Sequence, residues 1–187
     1  GSPASRETIR RLSSEAGAVL VFEFTDPSAA LKVGRRGIRQ YRVHLRGKGA
    51  HAAYPEKAHN PVVALGQLLA EIASCEQHDE LCVTPTRIVS SDRTNVIPDD
   101  VTLDLDVRSS SEHLMDRVAR FLNGLRVDQP GIEVQVETLV ECPAYEPDPH
   151  HRLLDIASRS AAELGLAPMA AITARGALMR WCDRNHL

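Results

Sequence analysis

The sequence predicts an α+β fold: a four-stranded antiparallel sheet with two helices on one face, in the order β-α-β-β-α-β, between flanking pieces of α/β character. Three observations carry that reading. Residues 39–46, 101–108 and 132–138 alternate apolar and polar side chains, the period of two of a half-buried strand. Residues 60–73 and 111–125 space their apolar side chains three and four apart, the period of a helix lying on a core. A proline-interrupted apolar stretch, LCVTPTRIVSS, supplies the remaining strand.

In RQYRVHLR, Tyr41, Val43 and Leu45 face one way and Arg42, His44 and Arg46 the other. The helix that follows places Val62, Leu65, Leu69 and Ile72 on one face. Pro85 lacks an N–H and marks the next strand as an edge or a bulge. Val101, Leu103, Leu105 and Val107 alternate with Thr102, Asp104, Asp106 and Arg108. Leu114, Val118, Phe121, Leu122 and Leu125 form the second helical face, with Ser110 or Ser111 as cap. IEVQVET is the last strand, and after Thr138 the chain is expected to turn irregular. This order is the split-βαβ, ferredoxin-like arrangement.

The flanks read differently. SRETIRRLSSEA is a short helix with Ser5 as N-cap, and AVLVFEF is an apolar run suited to a strand buried on both faces. TDPSAALKVGRRG reads as a linker. HRLLDIASRSAAELG is a helix stopping at Gly165, and LAPMAAITARG suits a strand leading into a turn. Neither flank builds a core alone, so both are expected to be fragments of a larger α/β domain into which the central unit is inserted.

Composition narrows the function. A net charge of -3 gives no basic excess for nucleic acid, and no apolar run reaches membrane length. Aromatic residues are 4% of the chain and no strand carries paired stacking rings, which disfavours an RNA-binding or ligand-sensing sheet. The four cysteines lack C-x-x-C spacing and are expected to be reduced thiols in a cytoplasmic protein. GSPAS is expected to be an expression-tag remnant.

VLVFEFTDP, GKGAHAAYPEKAHNPV, TNVIPDDVTLDLDVR and ECPAY occur in that order. As a set they resemble the zinc-dependent family of carboxypeptidase G, aminoacylase, acetylornithine deacetylase and succinyl-diaminopimelate desuccinylase. The resemblance implies that residues 36–139 are the lid and dimerisation domain, with 1–35 and 140–187 fragments of the catalytic domain. It implies a homodimer formed through the lid, a two-zinc site in the parent enzyme, and a small-molecule or peptide substrate with a free carboxylate.

The same resemblance assigns candidate roles. Glu23, the acid in the apolar run, would be a zinc ligand; its alternative is an exposed acid at a strand end. His51 sits among glycines and alanines that let backbone and substrate approach, and would be offered across the dimer to steady an oxyanion. Otherwise it is an exposed histidine in a strand–helix loop. Asn95 and Arg108 would hold the substrate carboxylate, Arg108 through a two-pronged guanidinium contact. Turn chemistry for Asn95 and an ion pair with Asp106 for Arg108 are the alternatives.

Most zinc ligands and the general base of that family precede the segment matched by VLVFEFTDP, so these residues alone are expected to be inactive. A non-catalytic dimerising module or degenerate pseudo-enzyme is the competing expectation. The tail RGALMRWCDRNHL lacks the family's Asp-Ala. A truncated or frameshifted coding region is one hypothesis for it, which a nucleotide sequence without Asp-Ala in another frame would remove.

Overall fold

The computed structural model describes residues 5–19, 31–75, 80–145, 152–166 and 170–173. It divides into two compact units, 36–145 and the combination of 1–35 with 146–187.

The central unit holds β2 (Gly37–Arg46), α2 (Pro61–Ala73), β4 (Leu81–Val89), β6 (Asp100–Ser109), α3 (Glu112–Gly124) and β7 (Glu133–Cys142). Short strands β3 (Ala50–His51) and β5 (Val96–Ile97) lie in its loops. The main sheet runs β4-β6-β2-β7, and every neighbouring pair is antiparallel. This is the predicted ferredoxin-like topology, with β4 and β7 as edges.

The alternation read in the sequence is the alternation of burial. Tyr41, Val43 and Leu45 of β2 and Val101, Leu103, Leu105 and Val107 of β6 are buried, as are Leu81 and Val83 of β4. They meet Ala64, Leu65, Leu68 and Ile72 of α2 and Met115, Val118, Leu122 and Leu125 beyond and along α3. Pro85 marks both features expected of it: β4 is an edge, and its register slips between Pro85 and Arg87.

Both helices begin where polar residues offer an acceptor to a free N–H. Asn60 Oδ1 accepts from Val62 N at 2.9 Å, with Pro61 at the first helical position. Ser111 Oγ, rather than Ser110, accepts from Leu114 N.

Several expectations are corrected. The inward face of α2 uses Ala64 and Leu68; Leu69 is only partly buried and Val62 is 46% exposed. A small alanine hides one facing position, and spacings of three and four both fit the apolar pattern. The last strand does not stop at Thr138. Leu139 forms a bulge, Gln40 pairing with Val140 and Tyr41 with Thr138, so the strand continues to Cys142.

The other unit contains α1 (Arg6–Glu15), β1 (Leu31–Arg35), α4 (Arg152–Glu163) and β8 (Ala170–Thr173). Part of the expected linker is therefore a strand: Leu31–Arg35 pairs in parallel with Ala170–Thr173. Ser5 occupies the N-cap of α1, but its side chain makes no capping bond. Leu166 N bonds Ala161 O at 2.9 Å, closing α4 at Gly165 as expected. From Leu20 onward, AVLVFEF lies outside the described residues.

Gly131 turns the chain from α3 into β7 at φ +77°, and a Cβ there would lie 2.6 Å from the His59 ring. Gly131→Ala is therefore expected to cost about 2 kcal/mol, from the left-handed backbone and the displaced ring together. A urea midpoint equal to that of the unsubstituted chain would refute this.

Candidate functional site

The loop that carries His51 is built by backbone bonds. Gly47 N donates to Asp99 O at 2.7 Å, and Lys48 and His59 exchange bonds at 2.9 and 3.0 Å. Gly49 N donates to Asp99 Oδ1 at 2.7 Å. A Cβ on Gly47 would run into the His59 carbonyl oxygen. Gly47 is thus required by the close approach of a neighbouring stretch of the same chain, the backbone approach expected of the glycines around His51.

β3 and β5 form a small antiparallel ribbon, with Ala50 opposite Ile97 and His51 opposite Val96. Ala52 N donates to Asn95 O at 2.9 Å. Two of the predicted site residues, His51 and Asn95, are brought together, and both are exposed. Asn95 contributes its main-chain carbonyl to that bond.

The ring of His51 is held as well. Ala53 N donates to Nδ1 at 3.1 Å, and Tyr54 N donates to the His51 carbonyl at 2.8 Å. The rings of His51 and Tyr54 are 6.2 Å apart, and Lys57 Nζ lies 4.4 Å from the centre of the Tyr54 ring. The Tyr54–Lys57 pair was not singled out in the sequence. The spacing of three across a proline was its only signal.

Arg108 lies elsewhere. It is near the far end of β6 from Asp99 and Asp100, eight residues along a strand rising about 3.3 Å each, or roughly 26 Å. Its Nε donates to Asp106 Oδ1 at 2.6 Å and Nη2 to Oδ2 at 3.3 Å. Gln40 Nε2 also donates to Asp106 Oδ2, at 3.1 Å. Along the same sheet face Arg42 grips both oxygens of Asp104 at 2.7 and 2.9 Å, and His44 Nε2 stands 3.3 Å from Glu137.

These pairs shape the electrostatics. The bond from Arg42, with help from Arg87, holds Asp104 below the ordinary aspartate value of 3.8 against the opposing pull of burial. The bond from Arg108 does the same for Asp106. A carboxylate whose folded pKa is depressed stabilises the fold above its unfolded value, and that stability is lost as pH falls through the lower folded value. Asp104→Asn is therefore expected to lower stability near neutral pH and flatten its decline below about pH 3.8. Parallel stability curves in urea for the two chains from neutral pH to pH 2 would overturn that.

Among the described residues, no three His, Cys, Asp or Glu side chains converge to hold a metal ion. Glu23 lies outside the described residues, as do the adjacent histidines at 150 and 151. The described part of the chain thus does not itself supply a zinc donor set. Cys75, Cys82 and Cys142 form no disulfide among the described residues. No helix among the described residues is long and apolar enough to cross a membrane.

Comparison with known proteins places this arrangement. The profile of the peptidase dimerisation domain matches residues 33–127. Succinyl-diaminopimelate desuccinylase of Gluconacetobacter diazotrophicus is 32% identical over 146 residues, covering 74% of this chain and 37% of that protein. The desuccinylase of Aliarcobacter butzleri is 36% identical over 102 residues, covering 50% and 28%. The chain therefore spans well under half the length of these curated relatives. In structure it resembles the aminopeptidase PepT of Bacillus cereus, with a TM-score of 0.69 and 19% identity over 83% of this chain and 43% of that one. A tripeptidase of Staphylococcus aureus gives a TM-score of 0.67 and 20% identity, covering 87% and 42%. At that identity these two establish the fold alone.

Proposed function

Because this chain belongs to the peptidase dimerisation domain family, we propose that it serves as the lid and homodimer contact of a zinc-dependent amidohydrolase or exopeptidase acting on N-acyl amino acids or peptides with a free carboxylate. The family is metal-dependent; two zinc ions and the general base would come from catalytic-domain residues, with Glu23 as one ligand. Residues 36–139 form the lid in this reading, and 1–35 and 140–187 belong to the catalytic domain. By themselves these residues would not hydrolyse the substrate.

One observation carries the proposal: His51 and Asn95 share a ribbon joined by Gly47 and Gly49 to Asp99 at the start of β6, while Arg108 lies near the far end of that strand, roughly 26 Å along it from Asp100. One copy cannot bring His51 and Arg108 onto one small ligand. Two copies related by a two-fold axis can, with the His51 loop of one completing a site that contains Arg108 of the other. His51 would then donate to the developing oxyanion, and Arg108, oriented by Asp106, would bind the carboxylate.

The contact between copies is assigned to the β4 edge. Its second half, Thr84 to Val89, is exposed, with Ile88 at 53% and Val89 at 40%. The other edge, β7, carries Glu133, Glu137 and Glu141, which a second copy would set against like charges.

The test is complementation in the full-length protein. His51→Ala and Arg108→Ala variants, each deficient in hydrolysis of an N-acyl amino acid, are expected to regain activity when their subunits are dissociated, mixed and reassociated. Exchange without recovery would defeat the shared-site reading.

A further inference from the structure

We propose that the backbone amide of Ala53 is a positioning group that fixes His51 as its Nε2–H tautomer, so that the loop presents a neutral N–H donor to an anionic ligand. This rests on the reading of His51 as a donor across the dimer, and adds how the donor is set.

The argument starts from what each group can do. A backbone N–H only donates, so the Ala53 contact at 3.1 Å requires a lone pair on Nδ1. A neutral imidazole carries one proton, which must then be on Nε2. The acceptor is held in place from both sides. His51 is in register with Val96, and the next residue, Ala52, donates to Asn95 O at 2.9 Å. Tyr54 N donates to His51 O at 2.8 Å, which closes the turn containing Ala53.

The consequence is a division of labour within the loop. Nδ1 has its lone pair engaged, so it is neither a base nor a metal ligand in this arrangement. Nε2 carries the proton on an exposed side chain and can donate without a prior protonation step. Lys57, whose ammonium lies over the Tyr54 ring, supplies the fixed positive charge that the neutral imidazole does not. A donor for a carboxylate or oxyanion is thereby built from the turn itself, the ring being oriented by a main-chain amide.

The test uses the whole 187-residue chain labelled with ¹⁵N. Long-range ¹H–¹⁵N correlation at a pH where the ring is neutral is expected to show His51 with the Nε2–H signature alone. An Nδ1–H pattern, or the averaged signals of a freely exchanging imidazole, would overturn the proposal. Amide exchange gives a second readout. His51→Ala is expected to speed exchange at Ala53 about fivefold through loss of one hydrogen bond. His51→Asn, whose side-chain oxygen can accept from the same amide, is expected to retain protection. Equal Ala53 exchange in all three chains would overturn the proposal too.

Hydrolysis by the full-length protein separates this from the reading beneath it. A single tautomer alongside undiminished activity in His51→Ala would leave the positioning intact and remove the catalytic role. A mixed tautomer with activity lost in His51→Ala would do the reverse.

Discussion

Replacing Ile88 by lysine is expected to convert the proposed homodimer to monomers. Ile88 lies on the edge strand β4, which pairs with no further strand among the described residues, and it is 53% exposed. Exposed apolar residues on an open edge invite another strand, and lysine is a common device for preventing it. A two-fold contact brings each substitution into the interface twice. Desolvating one ammonium without a partner costs at least about 2 kcal/mol, so two cost about 4 kcal/mol. At about 1.4 kcal/mol per factor of ten, the dimer weakens roughly a thousandfold. Sedimentation over a dilution series reads the change, and urea unfolding of the monomeric variant checks that the fold survives. Val140→Lys on the opposite edge is the discriminating control, because Val140 is also 38% exposed. Dissociation by Val140→Lys with a dimer retained in Ile88→Lys would move the interface to β7.

The sheet was legible in the sequence because one of its faces is wet. β2 and β6 are central strands with a polar face, so every second residue announces its side. Arg108 and Asp106, two apart on such a strand, had to share that face, and the ion pair follows. The phase of α2 was less legible. Leu65 and Ile72 are fixed by either spacing, but choosing Leu68 over Leu69 depends on where the sheet lies beneath the helix. The bulge at Leu139 leaves no trace in a run of TLVEC. β1 was missed for a different reason. A strand of five residues containing glycine and two basic side chains resembles a linker until its parallel partner, Ala170–Thr173, is known. The site divided in the same way. His51 stood out chemically, whereas the reason for Gly47 lies in His59, twelve residues on in the chain.

Arg39→Met is the second large effect, expected to cost about 2 kcal/mol at neutral pH, below the usual ~3–5 kcal/mol for removing one partner of a buried ion pair because its carboxylates are partly solvated. Arg39 projects to the helix-covered face of β2, and its side chain is 11% exposed. It meets Glu112 at 3.0 Å and Asp116 at 2.8 Å, both on α3. Nε also lies 3.0 Å from Glu141 on β7, at an angle too poor to count as a hydrogen bond. Burial alone would lower the pKa of this guanidinium; its bonds to Asp116 and Tyr41 and the charge of Glu141 outweigh that and hold it above the ordinary arginine value. Without the cation, three carboxylates are left around a site built for it. Neutralising the carboxylates should therefore narrow the deficit: Arg39→Met is expected to cost less in a chain that already carries Glu112→Gln and Asp116→Asn. An equal deficit in that background would assign the loss to the packing of the arginine stem instead. Glu112 also accepts from Ala144 N, so the cluster fixes the end of the central unit from which the chain continues. A Cβ at Gly37 would meet Ala144 N at 2.7 Å, which means that the strands entering and leaving the unit pass in contact. Faster amide exchange at Ala144 in Arg39→Met, with unchanged exchange at Leu103 in the centre of β6, would localise the damage to that neck. Equal stability of Arg39→Met and the unsubstituted chain at pH 7 would mean that the cluster contributes no net stability.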